Sequence, residues 1–127
     1  MIQPKEIDEI APWYAARGDG FLRDWLPTET GFVAHDARGL VAAGFLLLTN
    51  SKLCFMEYMN TNPERSEIDQ GKGLLKLAWN LEKLSKSMGY KVILGLVPED
   101  HFSLAKFYNR QKARPASKLM RLYYKGL

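Results

Sequence analysis

The residues with the clearest chemical potential lie in one short run, Gln70-Gly71-Lys72-Gly73-Leu74. We place this run between a strand and the start of the longest helix, because the apolar spacing changes there. Glycines let the backbone approach a ligand, and the first N–H groups of a helix point outward with the positive end of its dipole. Such a turn suits a diphosphate, with Lys72 and Arg65 adding charge-assisted contacts. The alternative is that the two glycines only make a tight turn into the helix.

A second candidate is Glu57, the one acid inside an otherwise apolar strand. Burial among apolar neighbours raises the pKa of a carboxyl group towards the range that is useful for a general base. Strand alternation places Glu57 on the same side as Phe55 and Met59, and both a base and a solvent-facing carboxylate fit the sequence. His35 and Cys54 are interpreted as parts of the scaffold.

Composition and missing motifs narrow the function classes. The chain has no Gly-Lys-Ser/Thr of a Walker loop and no three-glycine dinucleotide fingerprint. One cysteine and two histidines predict neither a disulfide framework nor a structural zinc site. The cysteine usage, with no signal-peptide pattern and no apolar run long enough for a membrane helix, predicts a cytoplasmic protein. The net charge of +4 suits an anionic ligand, and it leaves open nucleic-acid binding through the basic residues 106–125.

The elements that must position these residues follow from the apolar spacing. The length of 127 residues predicts a single domain over 1–127. We predict a helix over 3–17 that is kinked or divided at Pro12, and an antiparallel meander of strands over 31–35, 40–49 and 53–60. A long helix after Pro63 ends at Gly89, and a strand over 92–97, a helix over 100–111 and a last strand over 119–124 follow. The long helix carries an apolar stripe of Leu74, Leu77, Ala78, Leu81, Leu84 and Met88. This order predicts an α+β fold, a mixed and mostly antiparallel sheet with helices on both faces.

Three stretches of the sequence resemble the GNAT superfamily of N-acetyltransferases. Gln70-Gly71-Lys72-Gly73-Leu74-Leu75 is similar to the family's pyrophosphate loop, Gln/Arg-x-x-Gly-x-Gly/Ala, although Leu75 replaces the last small residue. Met59-Asn60-Thr61-Asn62-Pro63 is similar to the strand that runs into a proline ahead of that loop. Residues 97–108 resemble the family's strand-to-helix segment that ends in Phe-Tyr, with His101 where Asn is common.

The resemblance implies an enzyme that binds acetyl-CoA and moves its acetyl group to a primary amine, which is a small amine, a lysine or a protein N-terminus. It implies that the backbone of Met59, Asn60 and Thr61 pairs with the pantetheine arm like an added strand. His101 and Ser103 are implied to lie near that arm, and residues 70–75 to hold the diphosphate. Tyr108 matches a tyrosine that protonates the leaving thiolate, and Glu57 a glutamate that accepts the amine proton.

The sequence leaves some choices open. Tyr108 is either that general acid or a core tyrosine of an amphipathic helix. The large Leu75 and the missing Gly-Phe after Phe107-Tyr108 are compatible with a catalytically idle GNAT-like module that binds a protein. The aromatic residues near the N-terminus are expected to line the acceptor side, and a homodimer is possible. These aromatic residues are Trp13, Tyr14, Phe21 and Trp25.

Overall fold

The computed structural model describes residues 1–17, 26–95 and 102–110, in two compact units that divide between Leu96 and Val97. The first unit holds helix α1, a short 3-10 turn, strands β1 to β3, helix α2 and strand β4. The second unit holds helix α3. Their bounds are α1 Pro4–Ala16, the turn Thr28–Thr30, β1 Gly31–Asp36, β2 Gly39–Leu47, β3 Leu53–Thr61, α2 Glu67–Ser87, β4 Val92–Leu94 and α3 Phe102–Arg110. The expected strand over 119–124 lies outside the described residues.

The four strands form one sheet in the order β1-β2-β3-β4. The first three form the predicted antiparallel meander, and β4 lies parallel to β3. Helix α1 packs on the face that carries Phe45, and α2 packs on the opposite face, where a Cβ on Gly44 would lie 3.1 Å from Leu77. The α+β fold with a mixed sheet and helices on both faces is therefore confirmed.

Helix α1 contains the proline at which a kink or a division was expected, and the division does not occur. Pro12 lies inside α1, yet the helix runs undivided over Pro4–Ala16. Its inner side buries Ile10, Trp13 and Tyr14 against the sheet, and this apolar packing outweighs the backbone hydrogen bond that a proline lacks.

Strand β3 contains a β-bulge that breaks its alternation. Ala43 of β2 pairs with Asn60 and Phe45 with Glu57, so two residues of β3, Tyr58 and Met59, oppose one residue of β2. Tyr58 adopts a left-handed backbone with φ 54°. A bulge of this kind re-aims the side chains that follow it. Glu57 therefore lies on the α1 face with Phe45, whereas Met59 faces α2; the prediction that Glu57 and Met59 share a side is wrong.

Helix α2 begins earlier than its glycines suggest. Ser66 is its N-cap residue, whose hydroxyl accepts a hydrogen bond from the Asp69 N–H at 3.2 Å, and the helix then runs to Ser87. Gly89 follows in the left-handed region, φ 87°, as expected for a helix end. Leu77, Ala78 and Leu81 are buried as predicted. Met88 is 44% exposed and does not belong to the inner stripe.

Candidate active site

The glycine-containing run lies inside α2 and not in a loop before it. The helix begins at Glu67, and the Gln70 N–H already bonds the Ser66 carbonyl at 2.9 Å. In an α-helix the N–H groups from this position onward bond carbonyls of the preceding turn. The predicted placement between strand and helix start is wrong, because Ser66 caps the helix one turn earlier. The N–H groups left over at the helix start are those of Glu67 and Ile68.

The Gln70 side chain connects three elements. Its Oε1 accepts a hydrogen bond from the Thr61 hydroxyl at 2.9 Å, and its Nε2 donates to the Arg65 carbonyl at 2.8 Å. The Arg17 guanidinium donates to the Thr61 hydroxyl at 2.8 Å. These bonds hold the end of β3, the end of α1 and the start of α2 together.

The two glycines of the run have different surroundings. A Cβ on Gly73 would lie 2.7 Å from Val41 Cγ1 and 3.3 Å from Ala42 Cβ, so its missing side chain lets α2 approach the sheet. A Cβ on Gly71 would meet nothing within 4 Å. Leu74 is partly buried, and Leu75 is 52% exposed on the outer side of α2. The large Leu75 side chain therefore fits without a clash.

An ion-pair network surrounds the first turn of α2. Arg65 pairs with Asp36 and, at 3.6 Å, with Asp69, which also pairs with Arg38. The hydrogen bond from Arg65 and the backbone N–H of Arg38 lower the pKa of the Asp36 carboxyl. Arg65 is therefore engaged in ion pairs with Asp36 and Asp69, while its buried Nε has no hydrogen-bond partner among the described residues. Its phosphate contact stays a prediction. Lys72 lines a cleft of about 190 Å³ between β1 and α2.

The end of β3 contains Met59, Asn60 and Thr61, the residues predicted to pair with the pantetheine arm. Among the residues up to 95, β3 and β4 form three parallel pairs, from Leu53 with Val92 to Phe55 with Leu94. Strand β3 itself runs through the bulge to Thr61. Asn60 is only 4% exposed, and its Nδ2 has no hydrogen-bond partner within the described ranges. A buried amide donor of this kind calls for an acceptor.

Tyr14 supports the bulge from the α1 side. It is 3% exposed, and its hydroxyl donates to the carbonyl of Tyr58. Trp13 is 5% exposed. The expectation that Trp13 and Tyr14 line an acceptor site is therefore wrong, because both belong to the core under α1; Phe21 and Trp25 lie outside the described residues.

The other predicted residues are scaffold or belong to the second unit. Cys54 is buried, and burial raises the pKa of its thiol. His35 accepts from Lys76 Nζ through its backbone carbonyl at 3.4 Å. Tyr108 lies in α3 with its ring edge-on to Phe107, centroids 5.7 Å apart. Ser103 also lies in α3, and His101 falls outside the described residues, so the roles predicted for these three stay predictions.

Clusters of metal-ligating side chains and long apolar helices are both absent from the described part of the chain. Within residues 1–17, 26–95 and 102–110, no group of three or more His, Cys, Asp or Glu side chains could hold a metal ion. No helix in the same ranges is long and apolar enough to cross a membrane.

Comparison with known proteins gives the fold but no close relative. No family model matches the chain, and no curated protein matches it. An aminoglycoside acetyltransferase from an uncultured soil metagenomic sample is similar, with a TM-score of 0.70, 14% identity and coverage of 99% of this chain and 93% of that one. A ribosomal-protein-alanine N-acetyltransferase from Brucella melitensis has a TM-score of 0.68, 13% identity and coverage of 98% and 96%. A transcriptional regulator from Bacillus halodurans has a TM-score of 0.71, 12% identity and coverage of 97% and 96%. The chain thus has the GNAT fold that its motifs resemble.

Proposed function

We propose that this chain is an acyl-CoA-dependent N-acyltransferase that moves the acetyl group of acetyl-CoA to a primary amine. The observation that carries the proposal is the end of β3, where the strand bulges at the left-handed Tyr58 and buries Asn60, whose Nδ2 has no hydrogen-bond partner within the described ranges. A fold alone does not define an activity, whereas local geometry at a site can. Similar structures that are named as acetyltransferases support the proposal.

The pantetheine arm of acetyl-CoA fits the end of β3. An extended ligand with amide groups binds a strand through main-chain hydrogen bonds, and Met59, Asn60 and Thr61 supply such a strand. The buried Nδ2 of Asn60 can donate a hydrogen bond to an amide carbonyl of the arm. The diphosphate then lies towards the start of α2, where the N–H groups of Glu67 and Ile68 and the helix dipole favour negative charge.

The reaction needs two proton transfers, to which we assign one residue each. The amine nitrogen forms a bond to the thioester carbon, the carbon–sulfur bond breaks, and the amine proton goes to a base while the thiolate takes a proton from an acid. Glu57 lies on the α1 face of β3, next to the bulge, and is the proposed base. Tyr108 of α3 is the proposed acid.

Binding and turnover of acetyl-CoA test the proposal directly. Calorimetric titration should give saturable binding, and release of free CoA thiol should depend on an added amine from a panel of small amines and peptides. Cys54 is buried with a raised thiol pKa, so the protein adds little background to a thiol assay. Absence of binding at millimolar acetyl-CoA would refute the proposal.

A matched pair of variants tests the role of β3. Glycine adopts the left-handed backbone of Tyr58 without strain, whereas a β-branched valine tolerates that backbone less well than the tyrosine it replaces. Both changes remove the same aromatic side chain. We expect Tyr58→Gly to keep acetyl-CoA binding and Tyr58→Val to weaken it about tenfold, because the bulge and the strand after it shift. Equal affinities in folded variants would show that the bulge does not shape the site.

The two proton-transfer roles are tested kinetically once an acceptor is found. Tyr108→Phe should lower kcat by about 10²-fold and leave acetyl-CoA affinity nearly unchanged. Glu57→Gln should lower the rate at neutral pH and move the pH profile upward, because the amine then has to lose its proton to water. Full activity of either variant would refute the proton-transfer role of that residue.

A further inference from the structure

The main chain of Thr61 points away from β2. The Asn62 N–H donates to the Val41 carbonyl at 2.8 Å, and Thr61, one position earlier, lies opposite Ala42. Successive residues of an antiparallel strand direct their main-chain groups to opposite sides of that strand. The N–H and the carbonyl of Thr61 therefore face the side of β3 on which β4 lies. Under the proposed function, these two groups pair with the pantetheine arm.

Two side chains of the protein already bond both groups of Thr61. The Oδ1 of Asn60 accepts a hydrogen bond from the Thr61 N–H at 2.8 Å. The Arg17 guanidinium, at the end of α1, donates to the Thr61 carbonyl at 3.2 Å. Asn60 and Arg17 thus supply the acceptor and the donor that a neighbouring strand would supply. Because a main-chain N–H is a single donor, a strand-like ligand gains it only when Asn60 releases it.

The Asn60 amide is only half satisfied in this arrangement. Its side chain is buried, and its Nδ2 has no hydrogen-bond partner within residues 1–17, 26–95 and 102–110. A buried donor without a partner is costly. A ligand that brings amide carbonyls to this strand offers an acceptor to Nδ2, which offsets the loss of the bond at Oδ1.

The contacts of Arg17 are exchangeable. Arg17 is an exposed residue that caps the end of α1. Its guanidinium also donates to the Thr61 hydroxyl at 2.8 Å and to the Gln70 Oε1 at 3.5 Å. These acceptors are uncharged. A guanidinium binds phosphate oxygens through paired hydrogen bonds that are stronger than those it makes to uncharged oxygens.

We propose that Arg17 and Asn60 close the strand site at Thr61 and that acyl-CoA opens it by exchange. This inference rests on the proposed function. The pantetheine arm takes the main-chain groups of Thr61, and the Arg17 guanidinium moves from the Thr61 carbonyl to the diphosphate. The contact with Gln70 places Arg17 beside the start of α2, where the diphosphate is proposed to lie. Arg17 therefore discriminates between the complete ligand and its bare arm.

Two ligands separate the closing role of Arg17 from its binding role. S-acetylpantetheine has the thioester and the arm but no diphosphate, so it must open the site without gaining the Arg17 contact. Arg17→Ala should bind it about three- to tenfold more tightly than the wild type, because one hydrogen bond no longer has to be broken. The same variant should bind acetyl-CoA about tenfold more weakly, because the bond to the diphosphate is lost. A general loss of structure would weaken both ligands together.

Two further variants serve as controls. Arg38→Ala also removes one positive charge near the first turn of α2, but the Arg38 guanidinium pairs with Asp69. We expect this variant to bind S-acetylpantetheine like the wild type. Arg17→Lys keeps the charge and replaces the planar guanidinium by an ammonium group. It should bind S-acetylpantetheine more tightly than the wild type and keep most of the affinity for acetyl-CoA.

Titrations followed by amide chemical shifts measure both affinities, including those in the millimolar range. The Thr61 amide signal should move with each ligand, and opposite changes of affinity in Arg17→Ala support the proposal. It is overturned if Arg17→Ala binds S-acetylpantetheine no better than the wild type does, or if the Thr61 signal stays in place with ligand bound. Acetyl-CoA binding by the wild type would in that case leave the acyltransferase proposal standing. Binding of neither ligand by any of the four chains at millimolar concentration refutes both proposals.

Discussion

The two glycines of α2 allow a sharp test of how the helix meets the sheet. Gly73→Ala and Gly71→Ala add the same methyl group to the same helix, two positions apart. Both positions are helical, so both variants gain the same intrinsic advantage of alanine over glycine, about 0.5–1 kcal/mol. Any difference between them reports the space around the added methyl group.

The structure predicts how large the difference in the free energy of unfolding should be. At Gly73 the new Cβ would lie 2.7 Å from Val41 Cγ1, 3.1 Å from Val41 Cβ and 3.3 Å from Ala42 Cβ, which is closer than carbon atoms normally approach. Extra methyl groups in a packed core usually destabilise a protein by about 1–3 kcal/mol. At Gly71 the methyl group would enter open space. We therefore expect Gly71→Ala to be more stable than Gly73→Ala by about 1–3 kcal/mol in the free energy of unfolding.

Urea unfolding followed by circular dichroism at 222 nm measures the difference. Both variants should be compared without acetyl-CoA and at the same protein concentration, so that ligand binding does not contribute. Gly71→Ala should also exceed the wild type. Equal stability of the two variants would refute the reasoning, because it would mean that α2 does not lie as close to β2 as Gly73 requires.

Two further predictions concern single contacts. Asp36→Asn should lower the urea midpoint at neutral pH: Arg65 holds the pKa of the Asp36 carboxyl below its usual 3.8, so the stabilisation exists above that value and is lost as the pH falls below it. The midpoints of Asp36→Asn and wild type should therefore converge in acid, and a constant gap would contradict the assignment. Tyr14→Phe should destabilise the chain by about 1–2 kcal/mol, because it removes the donor to the Tyr58 carbonyl. Amide exchange near the bulge should quicken, and unchanged exchange would count against that role.

The order and type of the elements in the first unit could be predicted from the sequence, because apolar residues recur in each element at a spacing typical of a helix or a buried strand. Residues 40–47 are mostly apolar and flanked by turn residues, which is typical of a buried strand, and β2 is found at Gly39–Leu47. The spacing of Leu74, Leu77 and Leu81 predicted α2 in the same way. Such spacing reflects which side of each element is buried, so it predicts which residues face the sheet.

The predicted start of α2 is wrong because it depends on Gly71 and Gly73, whereas the helix is capped by Ser66. Ser66 and Asp69 form a cap signature in the sequence itself, with an acceptor hydroxyl three residues before an acidic residue. This local interaction fixes the first turn, and glycines inside a helix are tolerated where packing uses them. The cap signature at Ser66 by itself predicts a helix that starts at Glu67.

The bulge of β3 could not be predicted in the same way. A left-handed backbone is usually marked by glycine or asparagine, and here the residue is Tyr58. Its conformation depends on pairing with β2 and on the Tyr14 hydroxyl, which comes from α1. Contacts between residues far apart in the chain decide it, so alternation gave the wrong face for Met59 relative to Glu57.

The close packing of Gly73 on β2 affects which experiment is informative about acetyl-CoA binding. A substitution such as Gly73→Asp would clash with Val41 and destabilise the helix–sheet packing whether or not a diphosphate binds nearby. Loss of binding in that variant would therefore not separate a binding role from a structural one. The end of β3 does allow the separation, since Tyr58→Gly and Tyr58→Val both remove the aromatic ring but differ in how well they tolerate the left-handed backbone. The end of β3 is consequently a better place to test for an acyltransferase site than the glycine motif of α2.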